Sequence, residues 1–155
     1  MRRTDKEIAN REGIEDILRR GRVCHLGLCD KDVPYVVPMN YGYRGNSLYL
    51  HSSSEGRKID LIRRNNRAAF CIYIDAEPVS GEAACKWTMK YRSVMGEGKI
   101  TLIERAVEKE VALQAIMLQQ AGPGEYSFER ASVDKIAILR LDIEKISGKK
   151  SGYPD

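Results

Sequence analysis

The stretch from Ser47 to Arg64 combines the residue types that bind a phosphate group. It alternates like a strand up to His51, breaks at three serines and a glycine, and resumes with the apolar spacing of a helix. The free backbone N–H groups and the dipole at the start of a helix favour an anion. Arg57 and Lys58 fall in the first turn, where acidic residues are normally the stabilising ones. Their position therefore predicts a bound negative group at this corner.

The same stretch also has a purely structural interpretation. Ser54 can cap the N-terminus of the helix, while Arg57 and Lys58 lie on a solvated face. The chain contains neither a Gly-x-x-x-x-Gly-Lys-Ser/Thr motif nor a Gly-x-Gly-x-x-Gly motif. A phosphate bound here therefore belongs to a cofactor that another architecture holds.

The composition is that of a single domain with a mixed surface. A chain of 155 residues is long enough to bury roughly two thirds of its unfolded surface. Its 26 basic and 22 acidic residues are interspersed and give a net charge of +4, which disfavours nucleic-acid binding but permits small anionic ligands. No apolar run approaches the ~18 residues of a membrane span, and the N-terminus lacks the apolar core of a signal peptide. We therefore expect a cytoplasmic protein that does not contact a membrane.

The cysteines are predicted to be buried free thiols. Cys24, Cys29, Cys71 and Cys85 form no Cys-x-x-Cys pair, and three of them lie in or beside apolar runs. A cytoplasmic protein favours this arrangement over disulfides or a metal site. We therefore predict no metal site.

The apolar periodicity predicts about six strands and three helical segments. Residues 1–21 have helical spacing that stops at Gly21, a further helix follows the serines, and residues 104–121 form the clearest helix. The buried stripe of that last helix is predicted to comprise Val107, Val111, Ala115 and Leu118. The predicted strands begin at Val23, Val33, Ser47, Arg67, Cys85 and Ile136.

This order of elements predicts a mainly β fold. Short antiparallel strands that must remove their edges favour a six-stranded antiparallel barrel with helices packed outside. We expect one domain over residues 1–155, in which residues 147–155 form a loose tail.

The second predicted strand, residues 33–43, is suited to contact a ligand. Pro38 removes one donor from the hydrogen-bond ladder, so this strand is expected at a sheet edge or bent nearby. A bend frees backbone groups for a ligand. Alternatively, the proline only protects the edge from pairing with other chains.

The fifth predicted strand, residues 85–103, carries an aromatic face. Trp87 and Tyr91 lie at period two, which suits stacking on a planar ring or, equally, burial in a core. Gly96 and Gly98 predict a bulge or a close approach of two backbones.

Five motifs, taken in order, resemble the nitroimidazole-resistance (Nim) family. That family belongs to the pyridoxamine-phosphate-oxidase-like, flavin-binding split barrels. The resemblance covers nearly the whole chain, including the opening Met-Arg-Arg, and Pro-Met-Asn-Tyr and Leu-His-Ser-Ser are its most specific parts. The motifs are Arg22-Val-Cys-His-Leu-Gly-Leu, Pro34-Tyr-Val-Val-Pro-Met-Asn-Tyr-Gly-Tyr, Leu48-Tyr-Leu-His-Ser-Ser-Ser-Glu-Gly-Arg-Lys, Tyr91-Arg-Ser-Val-Met-Gly-Glu-Gly-Lys and Leu141-Asp-Ile-Glu-Lys-Ile-Ser-Gly-Lys.

The resemblance implies a homodimer with two flavin sites at the subunit interface. The cofactor is expected to be FMN, with FAD as the alternative. The implied phosphate-binding residues are His51, Ser52, Ser53, Arg57 and Lys58. The residues implied to lie along the flavin ring are Val37, Pro38, Met39, Asn40 and Tyr41. The residues implied to reach the site from the partner subunit are Trp87, Tyr91, Arg92 and Ser93.

The resemblance also implies an FMN-dependent oxidoreductase. Electrons would pass from a reduced nicotinamide or another donor to a nitroaromatic or similar planar small molecule. His51 can hydrogen-bond the cofactor or protonate the reduced acceptor as a catalytic residue, or it can be purely structural. The alternatives are a non-catalytic flavin-binding protein and a haem-binding or haem-degrading barrel with His51 as an axial ligand. The vitamin-forming oxidase reaction is less favoured, because the motifs lie closer to Nim proteins.

Overall fold

A computed structural model describes residues 3–154. The opening Met1 and Arg2, and Asp155 at the end of the predicted tail, lie outside the described residues. The strands are β1 (Glu7–Ile8), β2 (Val23–Asp30), β3 (Val33–Asn40), β4 (Gly42–Arg44), β5 (Ser47–Ser53), β6 (Arg67–Val79), β7 (Thr88–Ile103) and β8 (Ile136–Ser151). The helices are α1 (Arg11–Arg20), α2 (Arg57–Arg64), α3 (Ala106–Ala121) and α4 (Arg130–Val133), with short 3₁₀ turns at Thr4–Lys6 and Ala84–Lys86.

The strands form one antiparallel sheet in the order β3-β2-β6-β7-β8-β5-β4, and β1 pairs with β8. Because β3 ends at Asn40 and β4 begins at Gly42, the chain itself links the two ends of this path through the buried Tyr41. Within residues 3–154 no ladder joins these end strands, so the sheet is a split barrel. The mainly β antiparallel fold is confirmed. The strand count is eight rather than six, because β1 and β4 are too short to give an alternating pattern.

Two predictions about individual strands are confirmed. β3, which contains Pro38, lies at one end of the sheet path. The β7–β8 register shifts between Glu97 and Gly98, where a Cβ on Gly98 would collide with the carbonyl oxygen of Asp142. The bend between β3 and β4, however, falls at Tyr41 and not at the proline.

The main core lies inside the barrel. Leu26, Leu50, Ile72 and Leu141 are fully buried there, and Ile17 of α1 packs against the same cluster. Burial of each such side chain contributes about 1.5–3 kcal/mol. Helix α2 adds Ile59, Leu61 and Ile62 to this core, which fixes α2 against the end of the barrel.

Helix α3 buries a different face from the predicted stripe. Val107 is 70% exposed, Val111 and Leu118 are also exposed, and only Ala115 of that stripe is buried. The prediction fails because α3 is apolar around much of its circumference, so periodicity alone does not select a face. The residues that α3 buries are Ala112, Leu113, Ala115 and Ile116.

The predicted loose tail is wrong for Ser147–Ser151. These residues continue β8 and pair with Tyr91–Met95 of β7. Ser151 is buried, and its Oγ accepts a hydrogen bond from Nζ of Lys6 at 2.9 Å. The glycine, lysines and serines of this segment show no apolar alternation. They form a strand because β7 is long enough to hydrogen-bond with them.

The N-terminal segment is helical only in part. Asn10 caps α1 by accepting a hydrogen bond from the backbone N–H of Gly13 at 2.8 Å, and the helix ends at Gly21 as predicted. Ile8 precedes this cap and lies in β1, opposite Gly148. The predicted helix was therefore too long at its N-terminal end.

All four cysteines are free thiols. Cys24 is buried as predicted, Cys29 and Cys71 are partly exposed, and Cys85 is exposed. The prediction of burial is wrong for Cys85 because β7 begins only at Thr88, which leaves Cys85 in a surface turn. No helix in residues 3–154 is long and apolar enough to cross a membrane.

Candidate functional site

The end of β5 and the start of α2 form the walls of an open cavity of about 490 Å³. The cavity wall contains all five predicted phosphate-binding residues, which are His51, Ser52, Ser53, Arg57 and Lys58. The structure thus brings together the complete set that the family resemblance implied.

Local geometry explains why this corner opens. The β5–β8 ladder ends where Ser53 pairs with Ile136, and the chain then turns into α2. Gly56 precedes α2 with a φ of 109°, a conformation that side chains other than that of glycine rarely adopt. No side chain among the described residues caps α2, so Ser54 does not serve as the predicted alternative N-cap. Among the described residues, the backbone N–H groups of Arg57 and Lys58 have no acceptor and stay available to a ligand, whereas that of Ile59 donates to the carbonyl of Gly56 at 2.9 Å.

The cavity contains two cations that lack a counter-charge. Within residues 3–154, neither Arg57 nor Lys58 forms an ion pair with a carboxylate, although Glu55 belongs to the same cavity wall. Lys58 is half-buried, and this burial lowers its pKa. A bound anion would offset the cost of holding these charges together.

Arg57 contacts an aromatic ring. Its guanidinium carbon lies 5.0 Å from the ring centroid of Tyr35, which is also part of the cavity wall. Tyr35 is not among the residues predicted for this site. Its position two residues before Val37, on the same face of β3, is the signal that would have identified it.

His51 has a buried nitrogen without a partner. Its Nδ1 atom makes no hydrogen bond within residues 3–154. Leaving a buried polar atom unsatisfied costs about 1–3 kcal/mol. Two hydroxyls, two cations, a helix N-terminus and this nitrogen fit a phosphate-bearing group. No cluster of three or more His, Cys, Asp or Glu in residues 3–154 is suited to hold a metal ion.

The five residues predicted to lie along the flavin ring belong to β3 and to the position just after it, and their side chains lie alternately on the exposed face and on the core face of the strand. Pro38 and Asn40 are exposed, whereas Val37 is partly buried. The Met39 and Tyr41 side chains lie in the core, and the Tyr41 hydroxyl donates to the carbonyl of Leu18 at 2.7 Å. A ligand at the surface can therefore meet those two residues only through their backbone.

The predicted partner-subunit residues lie away from the cavity of their own chain. Trp87 is 57% exposed, and Lys149 lies over the Tyr91 ring at 5.8 Å. The Ser93 hydroxyl donates to the carbonyl of Lys149 at 3.4 Å, and Arg92 binds Asp75 at 2.7 Å. Their action on a second subunit stays a prediction.

The outer face of β2, β3, β6 and β7 exposes a band of apolar side chains, which we call the outer band. Val36, Tyr73 and Met95 are each more than half exposed, and they flank or line an open groove of about 570 Å³. The ring of Tyr73 stacks on that of His25, with the centroids 5.8 Å apart. Contiguous exposed apolar patches of this kind are typical of interaction sites in proteins.

Comparisons with known proteins agree with this architecture. Residues 10–150 match the family model described as pyridoxamine 5'-phosphate oxidase. The structure resembles that of a proposed 5-nitroimidazole antibiotic resistance protein from Bacteroides thetaiotaomicron VPI-5482, with a TM-score of 0.82 and 32% identity, over 93% of this chain and 86% of that one. The resemblance to Nim proteins is thereby confirmed.

Two further comparisons are more distant or shorter. The fold is similar to that of an FAD- and haem-binding protein from Mycobacterium smegmatis, with a TM-score of 0.84, 21% identity and coverage of 97% of this chain and 76% of that one. An uncharacterized protein of Rhizobium meliloti (strain 1021) is 35% identical over 65 residues, which are 42% of each chain. From the match over residues 10–150, the chain belongs to the pyridoxamine 5'-phosphate oxidase family.

Proposed function

We propose that the chain is an FMN-dependent reductase that works as a homodimer and binds the cofactor through its phosphate at the β5–α2 cavity. The observation that carries this proposal is the composition of the cavity wall. Arg57 and Lys58 have no counter-charge among the described residues, and Nδ1 of His51 has no partner. A phosphate would neutralise both cations, and His51 belongs to the same wall.

The residues of this wall divide the binding between charge and hydrogen bonds. Arg57 and Lys58 neutralise the phosphate, and charge-assisted hydrogen bonds of this kind contribute about 1.5–3 kcal/mol each. Ser52 and Ser53 supply hydroxyl donors, and the first N–H groups of α2 complete the anion site.

The bound flavin supplies hydride and electron transfer between a donor and an acceptor. The chain would orient it, with Pro38 and Asn40 of β3 exposed and open to contact with the ring. His51 either holds the cofactor or delivers a proton to the reduced acceptor. A His51→Ala variant with unchanged flavin affinity and an unchanged reduction rate would remove both roles.

The reductase activity rests on similarity to the Bacteroides protein, whose name refers to 5-nitroimidazole resistance. We infer a reduced nicotinamide as donor and a nitroaromatic or similar planar molecule as acceptor. FAD is the alternative cofactor, since an FAD-binding protein shares the fold.

The homodimer is supported by the exposed apolar surface. A second copy would cover the outer band, whose Val36, Tyr73 and Met95 are exposed in the single chain. It would also give the exposed Trp87 a surface to contact. A flavin site at such an interface explains why the predicted partner residues lie away from their own cavity.

The visible spectrum of the purified protein, followed by a turnover assay, tests this function. We expect flavin absorption, release of FMN on denaturation, and oxidation of reduced nicotinamide coupled to loss of a nitroaromatic. Flavin absorption without turnover would indicate a non-catalytic flavin-binding protein. A Soret band in place of flavin bands would indicate a haem protein and contradict the proposal.

A further inference from the structure

β6 and β7 extend beyond the other strands as a two-stranded ribbon, residues 75–90. The pairing of β6 with β2 stops at Cys71, and the pairing of β7 with β8 stops at Tyr91. Beyond these points only β6 and β7 pair with each other within residues 3–154, from Glu77↔Lys90 to Val79↔Thr88. A lone two-stranded hairpin is only marginally stable in water. The ribbon therefore needs an anchor at its base.

Asp75 lies at this base and binds two arginines. Its Oδ1 accepts a hydrogen bond from Nη2 of Arg20 at 2.6 Å, and its Oδ2 accepts one from Nη1 of Arg92 at 2.7 Å. Arg20 belongs to the last turn of α1, and Arg92 belongs to β7. The carboxylate thus connects a helix to both strands of the ribbon.

The backbone at this residue also departs from a regular strand. Asp75 has a φ of 53°, and the β6–β7 register shifts between Ile74 and Glu77. Aspartate tolerates positive φ better than most side chains do. A bulge bends its strand and redirects the residues that follow. The direction of the ribbon is therefore set at Asp75.

A third segment closes over the same point. The Tyr153 hydroxyl donates to the backbone carbonyl of Asp75 at 2.9 Å, and the guanidinium carbon of Arg92 lies 4.1 Å from the Tyr153 ring centroid. The Asp75 and Arg92 side chains are only 22% and 28% exposed. Partial burial makes such a pair less sensitive to screening than one on the open surface.

We propose that Asp75 is a positioning residue, which bridges Arg20 and Arg92 and thereby fixes the direction in which the ribbon presents Trp87. The consequence for the cofactor rests on the proposed function, in which Trp87 reaches the flavin site of a second copy. The same geometry reassigns Arg92, which the sequence predicted to bind cofactor. Its guanidinium is engaged by Asp75 and Tyr153, so its role is to anchor the ribbon.

The fluorescence of Trp87 tests this directly, because it is the only tryptophan in the chain. The test compares the full-length wild type with Asp75→Asn, which keeps the shape of the side chain and tolerates positive φ. Glu144→Gln is the matched control, since it breaks an ion pair with Arg67, at the opposite end of β6. Tyr153→Phe is a milder variant that removes only the hydrogen bond to the Asp75 carbonyl.

We expect Asp75→Asn to add a fast nanosecond component to the anisotropy decay of Trp87, with a smaller change in Tyr153→Phe and none in Glu144→Gln. Flavin affinity should fall about fivefold in Asp75→Asn. If Asp75 had a merely structural role, Asp75→Asn and Glu144→Gln would both lower the unfolding temperature, and the motion of Trp87 would not change.

Identical Trp87 decays in the wild type, Asp75→Asn and Tyr153→Phe would overturn the proposal. If Asp75→Asn does not fold, Tyr153→Phe decides the outcome. The anisotropy is measured without flavin, so it remains decisive even if the wild type binds none. A wild type that binds no flavin would contradict the proposed function but not the anchoring role of Asp75.

Discussion

Arg57 lies over the ring of Tyr35, with 5.0 Å between the guanidinium carbon and the ring centroid. The contact joins the first turn of α2 to β3 across the β5–α2 cavity. Among the described residues the Arg57 guanidinium donates no hydrogen bond, so its N–H donors stay free for a phosphate. Tyr35 therefore holds Arg57 in place without competing for its hydrogen bonds.

Replacing Arg57 tests the phosphate contact itself. We expect Arg57→Ala to weaken FMN binding by about 1.5–3 kcal/mol, because a charge-assisted hydrogen bond is lost. Isothermal titration calorimetry with FMN measures this loss. Arg63→Ala removes an exposed arginine from the same helix and should leave the affinity unchanged. Equal dissociation constants for Arg57→Ala and the wild type would refute the contact.

Tyr35 is predicted to contribute through Arg57. Tyr35→Ala removes the cation–π contact, worth about 0.5–1 kcal/mol, and should weaken FMN binding about two- to fivefold. Tyr35→Phe keeps the ring and serves as the control with near wild-type affinity. Tyr35→Ala should therefore have little effect on FMN affinity in the Arg57→Ala background. If it weakens FMN binding there as much as in the wild type, the ring acts independently of Arg57.

Asp75 makes the stability of the protein depend on pH. Burial by itself would raise the pKa of Asp75, but hydrogen bonds from Arg92 and Arg20 outweigh it and hold that pKa below its ordinary value. Asp75 therefore stabilises the fold at pH values above the ordinary aspartate pKa of about 3.9. This contribution is lost as the pH falls through that value and then through the lower pKa that Asp75 has in the folded protein.

Urea unfolding of the wild type and Asp75→Asn over a range of pH measures this dependence. The difference between their free energies of unfolding should be constant near neutral pH and shrink in acid. A difference that stays the same down to the lowest pH at which both variants fold would contradict this role of the carboxylate.

The outer band is predicted to be the dimer interface. Tyr73 is 54% exposed in the single chain, and Tyr73→Lys would place an unpaired charge in the covered surface at a cost of about 2–4 kcal/mol. Sedimentation equilibrium should then show a shift from dimer to monomer. Val107→Lys, at an exposed apolar position on α3, should leave the dimer intact. Dissociation by both variants or by neither would argue against the outer band as the interface.

The grouping of the residues that line the β5–α2 cavity could be predicted because they are neighbours in the sequence. His51 to Lys58 form one strand-to-helix turn, and the placement of two cations in a first helical turn identifies it without tertiary information. The alternating residues of β8 are equally informative, since Leu141 and Ile143 are buried and each follows a half-exposed residue.

The features that could not be predicted depend on contacts between distant segments. Tyr35 meets Arg57, and Asp75 meets Arg20 and Tyr153, only after the barrel closes. The buried face of α3 depends on where the helix docks, because several of its faces are apolar. Ser147–Ser151 becomes a strand because β7 is long enough to pair with it, which its own composition does not indicate.

Titration of the apo-protein with FMN and with riboflavin tests the central claim most directly, because the two ligands share the flavin ring and differ by the phosphate. We predict that FMN binds at a stoichiometry of one per chain and that riboflavin binds at least about tenfold more weakly, a difference of about 1.4 kcal/mol. Equal affinity for the two ligands, or no binding of FMN or FAD, would contradict a phosphate site at the β5–α2 cavity.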